Sequence, residues 1–144
     1  FSMREIVFIG HQEFINETRK TLLENTWECF HQLGLSGKVT TANDPFFFYD
    51  DMDKANYQLM ANSKYELVAV TEKKDVSIAS FNDCGEMLCE RFHISGEDGL
   101  PLYSGCAAFG IDRWVQVFLQ TYGRNRKDWP KDMLHLKEER YAAK

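Results

Sequence analysis

The run Ser104-Gly105-Cys106-Ala107-Ala108-Phe109-Gly110-Ile111-Asp112-Arg113-Trp114 decides how the rest of the chain is read. Its first part consists of small and apolar residues with two glycines. That composition suits a close-packed strand in which a ligand or another backbone comes near. Past Gly110 the pattern changes. Trp114, Val115, Phe118, Leu119 and Tyr122 recur at helical spacing, and Gly123 closes them. The pattern therefore predicts a strand over Tyr103–Ile111 that turns directly into a helix opened by Asp112. Arg113 stands out, because a cation in the first turn of a helix meets the positive end of the helix dipole. It calls for a partner of opposite charge.

The segments upstream supply the partners of this strand. Arg4 to Gly10 is an apolar, β-branched run closed by glycine, which is a strand signature. From His11, the residues Phe14, Ile15, Thr18, Leu22, Leu23, Thr26, Trp27, Phe30 and Leu33 recur at helical spacing and Gly34 stops them. This is an amphipathic helix of about six turns. Lys38 to Asn43 forms a short strand that Asp44-Pro45 breaks, with the aromatic cluster Phe46 to Tyr49 behind it and a short helix over Asp50 to Asn62. Tyr65 to Thr71 and Val76 to Phe81 read as a hairpin across a Lys73-Lys74-Asp75 turn. Phe92 to Ser95 is a further short strand before the turn Gly96 to Gly99, and Trp129-Pro130 marks a loop ahead of a charged tail from Lys137. Hairpin-like strands with two long helices give an α+β fold on an antiparallel sheet flanked by helices, without βαβ alternation.

The chain has 144 residues, the size of one domain. A hydrophobic fraction of 44% with 11 Phe fills a core and argues against disorder. The net charge of −5 argues against a general nucleic-acid binder, which needs clustered Lys and Arg. The one basic segment, Arg124-Asn125-Arg126-Lys127, reads as a solvated surface. No apolar stretch nears the roughly 20 residues needed to cross a bilayer. No signal peptide is seen, and the four cysteines are scattered without a CxxC spacing. Free, buried thiols and a cytoplasmic protein are expected. Phe1 stands first and Met3 is the first possible initiator, so the chain is expected either to carry a scar before Met3 or to be cut from something longer.

Gly110-Ile111-Asp112-Arg113, at its strand-to-helix junction, resembles motif 3 of class II aminoacyl-tRNA synthetases. The resemblance implies that Arg113 binds the terminal phosphates of ATP, for which a guanidinium supplies a fixed bidentate fork. Cys106 within the strand is similar to the zinc-binding branch, the atypical seryl-tRNA synthetases and the amino acid:[carrier protein] ligases. In that branch two cysteines and a glutamate hold a Zn2+ that grips the substrate's α-amino group. Met3 to Gly10 looks like the second strand of motif 2, so Glu5 and Cys106 are the implied metal ligands, with the first cysteine upstream of motif 2 and not in this chain. On its own residues, Cys106 reads as a small buried hydrophobe.

Ala42 to Phe47 and Ser77 to Asn82 extend the resemblance to the carrier-protein ligases. They imply Asn82 as a catalytic and substrate-orienting residue, Ser80 beside the nucleotide, and Asp44 at the substrate, where an Asp-Pro turn is the rival reading. Glu66 is a nucleotide-site candidate. It shares a face with Lys64, either near the nucleotide or as an exposed ladder. Where those ligases carry histidines downstream of Asn82, this chain has Cys84, Gly85 and Met87, and Ser2 replaces a customary arginine. The resemblance covers a partial core, from the second half of motif 2 through motif 3, as a single domain over residues 1–144. It implies ATP- and Mg2+-dependent activation of a small amino acid and transfer to the phosphopantetheine thiol of a carrier protein, with a homodimer in the full-length protein. The alternative is a non-catalytic binding or regulatory module of the same ancestry.

Overall fold

The computed structural model describes residues 1–42 and 64–131. Asp44, the Phe46 to Tyr49 cluster, the helix expected over 50–62 and the charged tail lie outside the described residues. The elements are β1 (Met3–Gly10), α1 (Gln12–Gln32), β2 (Gly37–Thr41), β3 (Lys64–Val70), β4 (Asp75–Gly85), α2 (Met87–Arg91), β5 (Tyr103–Gly110) and α3 (Ile111–Tyr122), with a 3-10 turn at Arg126–Asp128. The five strands form one sheet in the order β1-β5-β4-β3-β2, and every pairing is antiparallel. The fold is α+β, as the sequence pattern implies.

The run around Cys106 becomes β5, between β1 and β4. Ser104, Cys106, Ala107 and Ala108 are all buried. At Gly105 there is no room for a side chain. A Cβ added to Gly105 would sit 2.4 Å from the Phe8 ring and 2.9 Å from the Asn82 carbonyl oxygen. The strand ends at Gly110, whose extended backbone caps α3, so the helix begins one residue before Asp112. At its far end Gly123, at φ 72°, adopts a left-handed conformation that glycine reaches without a Cβ clash.

One face of the sheet meets α1 and α3. Leu67, Ala69, Ala79, Phe81 and Ala107 pack there against Phe30 of α1 and Val117 of α3. Phe30 also meets Trp114 edge to face, with ring centroids 5.9 Å apart, and burying such a side chain stabilises by about 2–3 kcal/mol. The helical period predicts this use of α1, with one exception: Ile15 is buried while neighbouring Phe14 is exposed. The Tyr122 hydroxyl donates to the Leu33 carbonyl oxygen at 2.7 Å and ties the ends of the two long helices together.

Two expectations need correction. Phe92 to Ser95 is not a strand. Instead β4 runs on to Gly85 and is followed by α2, after which Phe92 caps the helix and His93 takes a φ of 54°. The Ile94 amide is used in closing that turn, donating to the Cys89 carbonyl oxygen at 2.8 Å. The longer β4 also carries two irregularities of register, opposite Leu67/Val68 and at Asp83/Gly85.

Gly105→Ala should lower the unfolding free energy by about 1–3 kcal/mol, the usual cost of overpacking. Urea denaturation followed by circular dichroism measures it; an unchanged midpoint would mean that Phe8 moves aside freely.

Candidate functional site

The sheet face opposite α1 and α3 carries the polar residues singled out in the sequence, and the register aligns them in two rows. Glu66 pairs with Ser80, Ser80 with Ala108, and Ala108 with Glu5. In the neighbouring row Lys64 pairs with Asn82, Asn82 with Cys106, and Cys106 with Val7. Each row crosses four strands and so spans about 14 Å at ordinary strand spacing. Residues far apart in sequence thus line one continuous surface.

Arg113 stands at one end, where β5 gives way to α3. Its Nη1 donates to the Ser77 carbonyl oxygen at 2.9 Å, and its guanidinium lies over the Phe1 ring, 4.9 Å from the centroid. Phe1 is held in place through its neighbour. The Ser2 amide donates to the Asp112 carboxylate, and Ser2 accepts from the Ile111 amide at 3.0 Å. Between Phe1, Glu66, Ser80, Ala108, Gly110 and Arg113 opens a cleft of about 80 Å³. Ligand pockets usually measure about 300–1,000 Å³, so this cleft is too small to enclose a nucleotide by itself. A larger groove of about 430 Å³ between α1 and the β2-β3 edge, lined by Leu23, Val39 and Tyr65, holds none of the candidate residues.

Glu66 is ion-paired with Lys64 at 3.0 Å, and both side chains are partly buried. Glu66 lines the cleft, and Lys64 beside it on β3 holds its carboxylate.

The second row contains a sulfur cluster. Asn82 is buried, and its Nδ2 donates to Ser80 Oγ at 3.2 Å and to Cys106 Sγ at 3.2 Å. Its Oδ1 is buried with no partner among the described residues. The Cys106 thiol is pushed far up from the ordinary thiol range, first by its hydrogen bond with Cys84, then by burial, with Glu5 acting in the same direction. Cys84 is held below that range by the same bond, against burial and the charges of Asp83 and Glu5. The two neighbouring thiols are thus shifted in opposite directions, Cys106 up and Cys84 down.

Glu5 and Cys106, the implied metal ligands, lie in adjoining rows of this face on the paired strands β1 and β5. Among the described residues, however, no three His, Cys, Asp or Glu side chains are grouped to hold a metal ion. The residues present do not make a zinc site by themselves.

Phe1 and Cys84 belong to the site without having been singled out as site residues. Cys84 was legible in part, since it lies two residues beyond Asn82 and strand alternation puts both on one face. The contact of Phe1 with Arg113 joins residues far apart in the sequence and has no local signature.

With this geometry in hand, the fold is recognisable as that of the class II seryl-tRNA synthetase core. The structure of the Methanopyrus kandleri seryl-tRNA synthetase in complex with Aquifex aeolicus tRNASec matches 97% of this chain with a TM-score of 0.80 and 29% identity, the match covering 28% of that chain. A Naegleria fowleri cytoplasmic serine–tRNA ligase in complex with AMP shares the fold at a TM-score of 0.60 and 11% identity over 85% of this chain and 25% of that one. The homologues are more particular: type-2 serine–tRNA ligases and amino acid–[acyl-carrier-protein] ligases. Ligase 1 of Bradyrhizobium diazoefficiens is 32% identical over 94% of this chain and 43% of its own length. The type-2 serine–tRNA ligase of Methanopyrus kandleri is 28% identical over 99% of this chain and 29% of its own length. The chain thus spans less than half the length of these relatives. No family model matches it.

Cys84 should be alkylated by iodoacetamide at lower pH than Cys89, whose thiol burial pushes up. Cys106→Ala removes the donor, so the pH of half-maximal Cys84 labelling should rise. Peptide-resolved labelling across pH measures this, and an unmoved or lower midpoint would contradict the hydrogen-bond direction.

Proposed function

We propose that this chain forms the second half of an active site that activates a small amino acid with ATP and hands it to the phosphopantetheine thiol of a carrier protein. The observation that carries the reading is the placement of Arg113 beside the row Glu66-Ser80-Ala108-Glu5 at the β5-α3 junction. The homology to amino acid–[acyl-carrier-protein] ligases supports the choice of acceptor.

In the first step an oxygen of the amino acid's carboxylate attacks the α-phosphorus of ATP. A new P–O bond forms, the bond to the β-phosphate bridge breaks, and pyrophosphate leaves with its negative charge. ATP enters as its magnesium complex, and Mg2+ neutralises part of that charge. Arg113 supplies the protein's share. A guanidinium carries five N–H donors, and among the described residues the bond to Ser77 uses one of them, leaving others to take phosphate oxygens. The partner that a cation at a helix start requires would then be the substrate itself. Ser80 lies along the cleft where the nucleotide passes. Asn82, fixed by Ser80 and Cys106, orients the adenylate from the next row. In the second step the carrier's thiol attacks the activated carbonyl, a thioester forms and AMP departs.

A zinc ion at Glu5 and Cys106, as the resemblance implies, would require further ligands from outside the described residues, and no step is routed through it. Asp44 would contact the substrate from the segment outside the described residues. A tRNA end as acceptor is the second reading, favoured by the homology to type-2 serine–tRNA ligases.

Amino-acid-dependent ATP–pyrophosphate exchange, with the chain in its natural full-length context, tests the first step. Arg113→Ala should reduce the exchange rate by about 10²–10³-fold, the usual cost of losing one preorganised donor to developing charge. Wild-type protein without exchange for any small amino acid would leave a non-catalytic binding module. Thioester formation on a carrier protein against ester formation on tRNA separates the two acceptors.

A further inference from the structure

The basic segment Arg124 to Lys127, which the sequence presents as a solvated surface, is held in a fixed shape past the end of α3. The Trp129 indole N–H donates to the Gly123 carbonyl oxygen at 3.1 Å, and its ring meets Phe118 edge to face with centroids 5.2 Å apart. Asn125 Oδ1 accepts from the Lys127 amide at 3.2 Å and opens the 3-10 turn. Arg126 lies over the Trp129 ring, 6.0 Å from its centroid. A merely solvated run of charges needs none of this bracing.

The β3-β4 turn brings up further cations beside this loop. Lys73 lines a groove of about 400 Å³ together with Thr71, Gln120 and Thr121, so the turn and the end of α3 are its two banks. Arg124 follows Thr121 by less than one helical turn. Lys73, Lys74, Arg124, Arg126 and Lys127 are exposed, and none of the five has an ion pair among the described residues. Glu72, also in the groove, and Asp128 are the unpaired acids next to them, while Asp75 is taken by Lys38 at 2.9 Å. Five cations against two acids leave a surplus of three positive charges at one end of a chain whose net charge is −5. Such a local field attracts an anion.

The Arg113 cleft opens at the same end of the sheet. Ser77, whose carbonyl oxygen holds Arg113, is three residues past Lys74, about 10 Å at the rise of a strand. Gly123 is ten residues past Arg113, about 15 Å at the rise of a helix.

We propose that this basic end is the docking surface for the carrier protein, received through acidic side chains around the serine that bears its arm. The proposal rests on the carrier-protein reading above. Phosphopantetheine is attached through a phosphodiester, so a carrier brings negative charge to the point of docking whatever its sequence. From that phosphorus to the thiol, the arm is a little longer than four residues of extended chain, roughly 15 Å. Its reach matches the separation between the basic loop and Arg113, so a carrier seated here delivers its thiol to the cleft. A confined surplus of charge suits a small acidic partner better than RNA, whose longer run of phosphates meets the acidic remainder of the chain.

The test is stopped-flow association of the full-length protein with fluorophore-labelled, phosphopantetheinylated carrier proteins, taking each one encoded in the source genome. A carrier should bind, with an association rate that falls as salt rises from low to physiological ionic strength. The triple reversal Arg124→Glu/Arg126→Glu/Lys127→Glu should slow association about tenfold or more, within the usual range of electrostatic steering, and flatten the salt dependence. Arg126→Glu alone should slow it more than Lys20→Glu on α1, which changes the net charge equally. In thioester formation the KM for the carrier should rise, while kcat at saturating carrier and ATP–pyrophosphate exchange stay unchanged. Reversed protein that associates as fast as wild type overturns the proposal. So does the absence of carrier binding, salt-independent binding of wild-type protein, or binding of tRNA rather than a carrier through these residues. Exchange that proceeds without docking here rejects the surface and keeps the activity. Docking here by a protein without exchange rejects the activity and keeps the surface.

Discussion

The close approach of Phe8 to Gly105 is the constraint on which the remaining structure depends. It lets β1 and β5 pair with their side chains interleaved over a position that has no Cβ. Once β5 is flanked closely on both sides, its middle residues are small: Cys106, Ala107 and Ala108. The strand can then end only by leaving the sheet plane, which it does at Gly110, where α3 starts and carries Arg113 over the cleft. A bulkier strand would displace β1, and Glu5 with it. Packing on one face of the sheet therefore sets the geometry of functional groups on the other.

That second face bears an energetic cost that the first face offsets. Asn82 and Ser104 are buried polar residues, and Asn82 Oδ1 finds no partner among the described residues. An unsatisfied buried acceptor costs about 1–3 kcal/mol. Proteins retain such groups where a ligand supplies the missing partner, and the position of Asn82 between Ser80 and Cys106 fits that pattern. The aromatic packing of Phe30, Phe81, Phe109 and Trp114 provides the reserve of stability that tolerates it.

Much of the fold was legible because its signals are local. Apolar β-branched runs, a helical stripe and terminal glycines located four strands and both long helices to within a few residues. Phe92 to Ser95 misled for the same reason: its apolar residues have strand character, but β4 had already consumed the pairing positions by running on to Gly85. The site divides in a similar way. Arg113 was marked by its unfavourable place at a helix start, and Glu5 by the resemblance of its strand to motif 2. Cys84 depended on a bulge, which shifts a side chain without leaving a clear mark in composition. Phe1 depended on the pairing of β1 with β5, which lie far apart in sequence.

The same dependence on register explains why a site of this kind is fragile in one direction and robust in another. Its groups come from β1, β3, β4, β5 and α3, and only strand pairing holds them in rows. A slip of one residue in β1 would turn Glu5 and Val7 toward the helices and bring Arg4 and Ile6 to the polar face. The hydrophobic face forbids that slip, because Phe8 must then leave its seat on Gly105. Changes at the end of a row have more freedom. The extra residue at Cys84 is one of them: it adds a group to the site without disturbing the Asn82-Cys106 pair on which the row is built.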